Sequence, residues 1–144
     1  MPIGRRKFME TACRACLMAG AGWLVSDLVA CTTATKIIRL PVNDQTVRFP
    51  QKNFADDKIL LVRPDGWLYD IAVRRTDADQ YEALLLECSH QKNQLMMVSG
   101  GFYCTLHGSR FNLNGQVVKG PAEFPLKKFP VSIEQEDLVI LLHS

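Results

Sequence analysis

Two short segments concentrate the residues able to bind a transition metal. They are Cys88-Ser89-His90 and, after a gap of thirteen residues, Cys104-Thr105-Leu106-His107. Each supplies one thiol and one imidazole, the ligand types that zinc and iron take from proteins. Together they hold two of the three histidines and two of the five cysteines. Two hairpin tips brought together therefore make a four-ligand site. A structural zinc site also accepts two Cys and two His, but its ligands more usually run C-x-x-C and H-x-x-x-H, and the C-x-H half departs from that. In an exported chain, Cys88 and Cys104 have a third option, a disulfide with incidental histidines.

The second segment continues as Gly108-Ser109-x-Phe111-Asn112, then Gly115-x-Val117, Gly120-Pro121-Ala122, Leu126 and Phe129. This order resembles the second cluster loop and proline loop of the Rieske family of 2Fe–2S proteins, and the resemblance spans Lys58 to Leu142. It implies that Cys88 and Cys104 bind one iron of a Rieske-type 2Fe–2S cluster and His90 and His107 the other. It also implies that Ser109 is a cofactor-binding residue, donating its hydroxyl to sulfur. Two ferric ions, two sulfides and two thiolates sum to zero formal charge, whereas four thiolates leave an excess negative charge. Imidazole ligands therefore raise the potential, into a range of roughly −150 to +300 mV. In high-potential members a disulfide braces the two loops. Its positions here are Asn93 and Leu106. Those members also carry a tyrosine hydroxyl where Phe111 stands. A donor stabilises the more negative reduced state, so the resemblance implies an intermediate potential.

The elements that must position these tips read as short strands. Lys36–Leu40 and Thr46–Phe49 are β-type runs broken by Pro41 and Pro50. Lys58–Arg63 and Trp67–Arg74 flank Pro64-Asp65-Gly66, a hairpin signal. Tyr81–Cys88 leads into the first tip. Leu95–Val98 and Phe102–Cys104 flank Ser99-Gly100-Gly101. Asn112–Gly115 is a turn, and Val131–Glu134 and Leu138–Leu142 form a last hairpin. Past residue 30 no segment sustains a helical period. The expected fold is all-β, an antiparallel β-sandwich or barrel. With the resemblance it becomes a sandwich carrying a small cluster-binding subdomain over residues 36–144. Trp67, Tyr69, Phe102 and Tyr103 read as core or strand residues, and Asp56-Asp57 as a solvated turn.

The first thirty residues read as an export signal with a helical segment. A basic start is followed by an apolar stretch, Ala15–Val25, and then by Leu28-Val29-Ala30-Cys31. Arg5-Arg6-Lys7-Phe8-Met9 resembles the twin-arginine pattern, which exports folded proteins. Leu28-Val29-Ala30-Cys31 resembles a bacterial lipobox, with Cys31 as the lipidated residue and 31–35 as a short linker. An uncleaved anchor is the alternative. The apolar run, however, is shorter than the ~20 residues a span needs, and Arg14 and Asp27 bound it. Cys13 and Cys16 lack the following His of a haem attachment site and read as small apolar residues.

Net charge is +2 over 144 residues, 47% of them hydrophobic, so nothing calls for a nucleic-acid partner. Removing Arg5, Arg6, Lys7, Arg14, Glu10 and Asp27 leaves a neutral body. An oxygenase site would need two more histidines and a carboxylate, and only His143 is left over. No flavin or nicotinamide fingerprint occurs. The reading is an electron carrier, without a small-molecule substrate of its own. It is periplasm-facing, anchored to the membrane through Cys31, and passes single electrons between protein redox partners. Two alternatives stand beside it: the iron–sulfur subunit of a cytochrome bc-type quinol-oxidising complex, and a zinc-stabilised non-redox binding module. The five intervals from Cys31 to Lys36 reach about 17 Å fully extended, short for a swinging head. Lys92, Arg110 and Lys119 lie near the tips in sequence, with Glu87 and Glu123. Leu95, Leu106 and Phe111 would shield the cluster or line a docking patch.

Overall fold

The computed structural model describes residues 37–54, 58–76 and 80–143. The chain divides into units 1–34 and 35–144, and the description is of the second. The leader, Cys31, the 31–35 linker and Asp56-Asp57 lie outside the described residues. Among the described residues no helix is long and apolar enough to cross a membrane.

The runs Leu60-Leu61-Val62, Ile71-Ala72-Val73 and Ala83-Leu84-Leu85 are buried throughout. Side chains alternate between the faces of a strand, so an unbroken apolar run needs cover on both sides. Those runs lie in three of the first five strands: β1 (Ile37–Leu40), β2 (Thr46–Pro50), β3 (Ile59–Pro64), β4 (Ile71–Arg75) and β5 (Tyr81–Leu85). Then come β6 (Met96–Val98), β7 (Gly101–Tyr103), β8 (Arg110–Asn112) and β9 (Val117–Lys119), and last β10 (Lys128–Phe129), β11 (Val131–Glu134) and β12 (Asp137–Leu141). The sheets are β1-β3-β4-β5-β10, β11-β12-β2 and β6-β7-β8-β9. The expected all-β antiparallel sandwich with a small added sheet is the fold. One ladder departs from it: β1 pairs with β3 in parallel, Ile37 opposite Leu61, because β2 crosses to the other sheet between them.

The central sheet separates two cores. Leu60, Val62, Ile71, Val73, Ala83 and Leu85 meet Val47, Phe49, Leu138 and Ile140 on one side. On the other, Leu61, Ala72 and Leu84 meet Leu95, Phe102, Phe111 and Leu126, together with Cys88 and Cys104. Each large side chain so buried contributes about 1.5–3 kcal/mol. The second core is what fastens the β6–β9 sheet, and with it the two tips, onto the sandwich.

The expected strand at Trp67–Arg74 is corrected at its start. It begins at Ile71, because Trp67 N–H donates to Pro64 O at 3.1 Å and closes a turn. Asp70 meanwhile is held by Arg63, with Arg63 Nε on Asp70 Oδ1 at 2.6 Å and Nη2 on Oδ2 at 2.9 Å. Tyr81–Cys88 likewise stops as a strand at Leu85. Gly101 allows β7 and β8 to close up: a Cβ there would lie 2.0 Å from the Phe111 carbonyl oxygen.

Candidate metal-cluster site

Three loops converge at one end of the β6–β9 sheet. The first, between β5 and β6, folds back on itself. Cys88 N–H donates to Asn93 O and Leu95 N–H to Leu86 O, both at 2.9 Å. The second, between β7 and β8, is a tight turn. Cys104 N–H donates to Ser109 O at 2.9 Å, and Gly108 N–H donates back to Cys104 O at 3.0 Å. Gly108 sits at φ +79°, a left-handed backbone that costs a side-chain-bearing residue about 1–2 kcal/mol. The third carries Gly120-Pro121-Ala122. Ala122 N–H donates to Ser109 Oγ at 3.0 Å, and Ser89 Oγ donates to Phe124 O at 2.6 Å. Ser89 and Ser109 thus pin the third loop to the other two.

The four donor residues separate by burial. Cys88 and Cys104 are each 1% exposed, whereas His90 and His107 are exposed. Both cysteines are free rather than joined. The two imidazoles stand edge to face with centroids 4.9 Å apart. Burial pushes the Cys104 thiol up. The backbone N–H groups of His107 and Leu106, the Cys88 thiol and the Asn93 amide outweigh it, holding the thiol below the ordinary cysteine value. A lowered thiol is one readied as thiolate, the form that binds metal. Among the described residues no three His, Cys, Asp or Glu side chains converge on a single ion. The two thiols lie in the core and the two imidazoles at the surface, so the donors sort by type into a buried pair and an exposed pair.

Ser109 is fully buried beside Cys104. Its oxygen accepts from Ala122, so its hydroxyl proton is available to a second acceptor. Phe111 is buried in the same core as both cysteines. Leu95 is buried there too, while Leu106 is exposed. Arg110 lies over the Tyr103 ring, 5.5 Å from its centroid, on the sheet rather than in a tip loop. Phe102 is a core residue as expected, whereas Trp67 lies in the β3–β4 turn, half-buried, and packs against the core with its ring 5.9 Å from that of Phe129. An open cleft of about 250 Å³ beside His90 is lined by Ser89, Pro121, Glu123 and Phe124.

Several supporting residues carry no signal in the sequence. Tyr69 donates its hydroxyl to Lys92 O at 3.0 Å. Gln94 Oε1 accepts Asp70 N–H at 3.0 Å, and Leu86 N–H donates to Asp70 O at 2.8 Å. The β3–β4 connection is therefore the floor on which the first loop rests.

An all-β domain that presents two histidines over two buried thiols, from a pair of hairpin tips, belongs to the class of cluster-binding electron-transfer domains. The Rieske [2Fe-2S] domain model matches residues 43–130, and the chain belongs to that family; its cofactor is a Rieske-type 2Fe–2S cluster. The chain is 26% identical over 87 residues to the cytochrome b6-f complex iron-sulfur subunit of Chlorobaculum thiosulfatiphilum. It is 28% identical over 88 residues to that of Chlorobaculum tepidum. Each match covers 60% of this chain and 42% of the relative, so the chain spans less than half the length of these curated relatives. In fold it is similar to the plasma membrane Rieske protein PetC3 of Synechocystis PCC 6803, with a TM-score of 0.53 at 21% identity, over 63% of this chain and 93% of that one. It is also similar to a chain of the carbazole 1,9a-dioxygenase oxygenase–ferredoxin complex, with a TM-score of 0.51 at 22% identity, over 69% and 95%.

Proposed function

We propose that this chain is a one-electron carrier whose Cys88 and Cys104 hold the inner iron of the cluster and whose His90 and His107 hold the outer one. Bound there, the cluster supplies a single-electron couple. The observation that carries the reading is the buried thiol pair beneath an exposed imidazole pair. The second core keeps water from the thiols, and the exposed imidazoles form the end at which a partner comes within electron-transfer distance. Ser109 orients the proline loop through Ala122 and offers its hydroxyl proton toward the site.

On this reading the partners are redox proteins, and the chain is exported and held at the membrane through lipid on Cys31. The Arg5-Arg6 pair supports export in the folded state, since a cluster assembled inside the cell must cross with its protein. A second reading, the iron–sulfur subunit of a quinol-oxidising complex, is favoured by the identity of the two curated relatives. The carrier reading is favoured by Asn93 and Leu106, which leave the loops without a disulfide brace. The domain assignment follows: 1–30 signal, 31–35 linker, 36–144 Rieske domain.

The test is EPR of the dithionite-reduced full chain with iron and sulfide counts, beside Cys104→Ser and His107→Ala. The expected result is a reduced-state 2Fe–2S signal that each substitution abolishes or alters. Two variants that keep an unaltered cluster would overturn the ligand set. Membrane fractionation of Cys31→Ser and of Arg5-Arg6→Lys-Lys separately tests anchoring and folded export. The first should release the protein from the membrane, and the second should leave holoprotein in the cytoplasm.

A further inference from the structure

Asn93 stands where the disulfide-braced members of the family would have a cysteine, yet it joins the same two loops by other means. Its carbonyl oxygen accepts Cys88 N–H at 2.9 Å. Its side-chain Nδ2 donates to Gln94 O at 3.1 Å and reaches Cys104 Sγ at 3.7 Å, ordinary for a hydrogen bond to a large, weakly accepting sulfur. One residue of the first loop thus touches the backbone of one cysteine and the sulfur of the other. The residues on either side of it are fixed from below. Lys92 is held through its carbonyl by Tyr69, and Gln94 through its side chain by Asp70. The Asn93 amide is therefore aimed rather than free to turn away.

We infer that Asn93 is a non-covalent brace between the two cluster loops and, through its amide N–H on Cys104 sulfur, a residue that sets the reduction potential. The inference rests on Cys104 being a cluster ligand. Hydrogen bonds to the sulfurs are among the determinants of an iron–sulfur potential. The added electron makes the sulfurs more negative, so a donor stabilises the reduced form more than the oxidised one. The surroundings of Cys104 are apolar, where a hydrogen bond is electrostatically stronger than in water. Asn93 thus supplies part of the stabilisation that Phe111, lacking a hydroxyl, does not.

The experiment compares full-length holoprotein with Asn93→Leu, Asn93→Asp and Cys104→Ser by protein-film voltammetry. Iron and sulfide counts and reduced-state EPR verify loading. Asn93→Leu, similar in size but without a donor, should weaken one-electron reduction up to tenfold, about 59 mV, at unchanged cluster content. Asn93→Asp, which also adds negative charge, should lower the potential further. Protein labelled with 15N at the asparagine side-chain amide should show a nitrogen coupling to the reduced cluster in pulsed EPR, and Asn93→Leu should lack it. Unchanged potentials in the loaded variants, or no such coupling in the wild type, overturn the inference. If Asn93→Leu fails to load, the wild-type coupling decides alone: its presence supports the inference and its absence overturns it. A Cys104→Ser protein with an unaltered cluster overturns the ligand assignment as well. A cluster-free Cys104→Ser beside an unshifted Asn93→Leu overturns the role of Asn93 alone.

Discussion

The Phe111 ring is 2% exposed and shares its core with both cysteines, Phe102 and Leu95. Across the ladder it faces Phe102. At this position the difference between a phenyl and a phenol is one hydroxyl near sulfur. A hydrogen bond to a charged acceptor is worth about 1.5–3 kcal/mol, which for one electron is roughly 60–130 mV. Phe111→Tyr should raise the midpoint potential by up to that amount, as protein-film voltammetry would read. The gain depends on the hydroxyl reaching sulfur, because a buried hydroxyl with no partner costs about 1–3 kcal/mol. A destabilised protein at unchanged potential would mean that the position holds a packing residue and nothing more. Ser109 shows that a hydroxyl in this core is accommodated when its oxygen also has work to do, here accepting Ala122 N–H.

The connection from β3 to β4 ties the sandwich to the first cluster loop. Arg63 grips the Asp70 carboxylate with two hydrogen bonds, and the Asp70 side chain is 4% exposed while that of Arg63 is 25%. Removing one partner of a fully buried pair costs about 3–5 kcal/mol. Solvent can receive part of the Arg63 charge, so Asp70→Ala should cost about 1–3 kcal/mol. The loss should appear in hydrogen exchange of the peptide spanning 86–95, whose Cys88 and Leu95 amides close the first loop. Faster exchange confined to other peptides would contradict the coupling. Little of this arrangement is legible in the sequence. The long apolar strands are, because Leu60–Val62 and Ala83–Leu85 declare themselves by residue type. So are the four donors, because Cys and His at matched positions in turns are rare company. The two- and three-residue strands β8, β9 and β10 are too short to show a period. The parallel β1–β3 pairing depends on a partner more than twenty residues away. The reach of Tyr69 to Lys92, and of Asn93 to Cys104, depends on how loops fold and leaves no periodic trace.

Within residues 37–143 the larger sheet is held together in part by charge. Glu82 on β5 lies opposite Arg74 on β4 and bonds its Nη2 at 2.5 Å, while Lys128 on β10 reaches the other carboxylate oxygen at 3.0 Å. One carboxylate thus spans three neighbouring strands. The Arg74 hydrogen bond, with Lys128 assisting and burial opposing, holds the Glu82 carboxyl below its ordinary value. A depressed carboxylate stabilises the fold fully above its unfolded pKa, about 4.3, and loses that contribution as pH falls through its folded pKa. With the groups partly exposed, the contribution is about 0.5–1 kcal/mol. Glu82→Gln should therefore unfold in urea about twofold to fivefold faster than the wild type at pH 7, if the contact is broken in the transition state. The gap should close in acid, where the wild-type carboxyl is protonated. Fluorescence of Trp67 is the appropriate probe, since its ring packs on Phe129 of β10, the strand that carries Lys128. A rate ratio that is the same at pH 7 and in acid would mean that the side-chain shape of Glu82, and not its charge, joins the three strands.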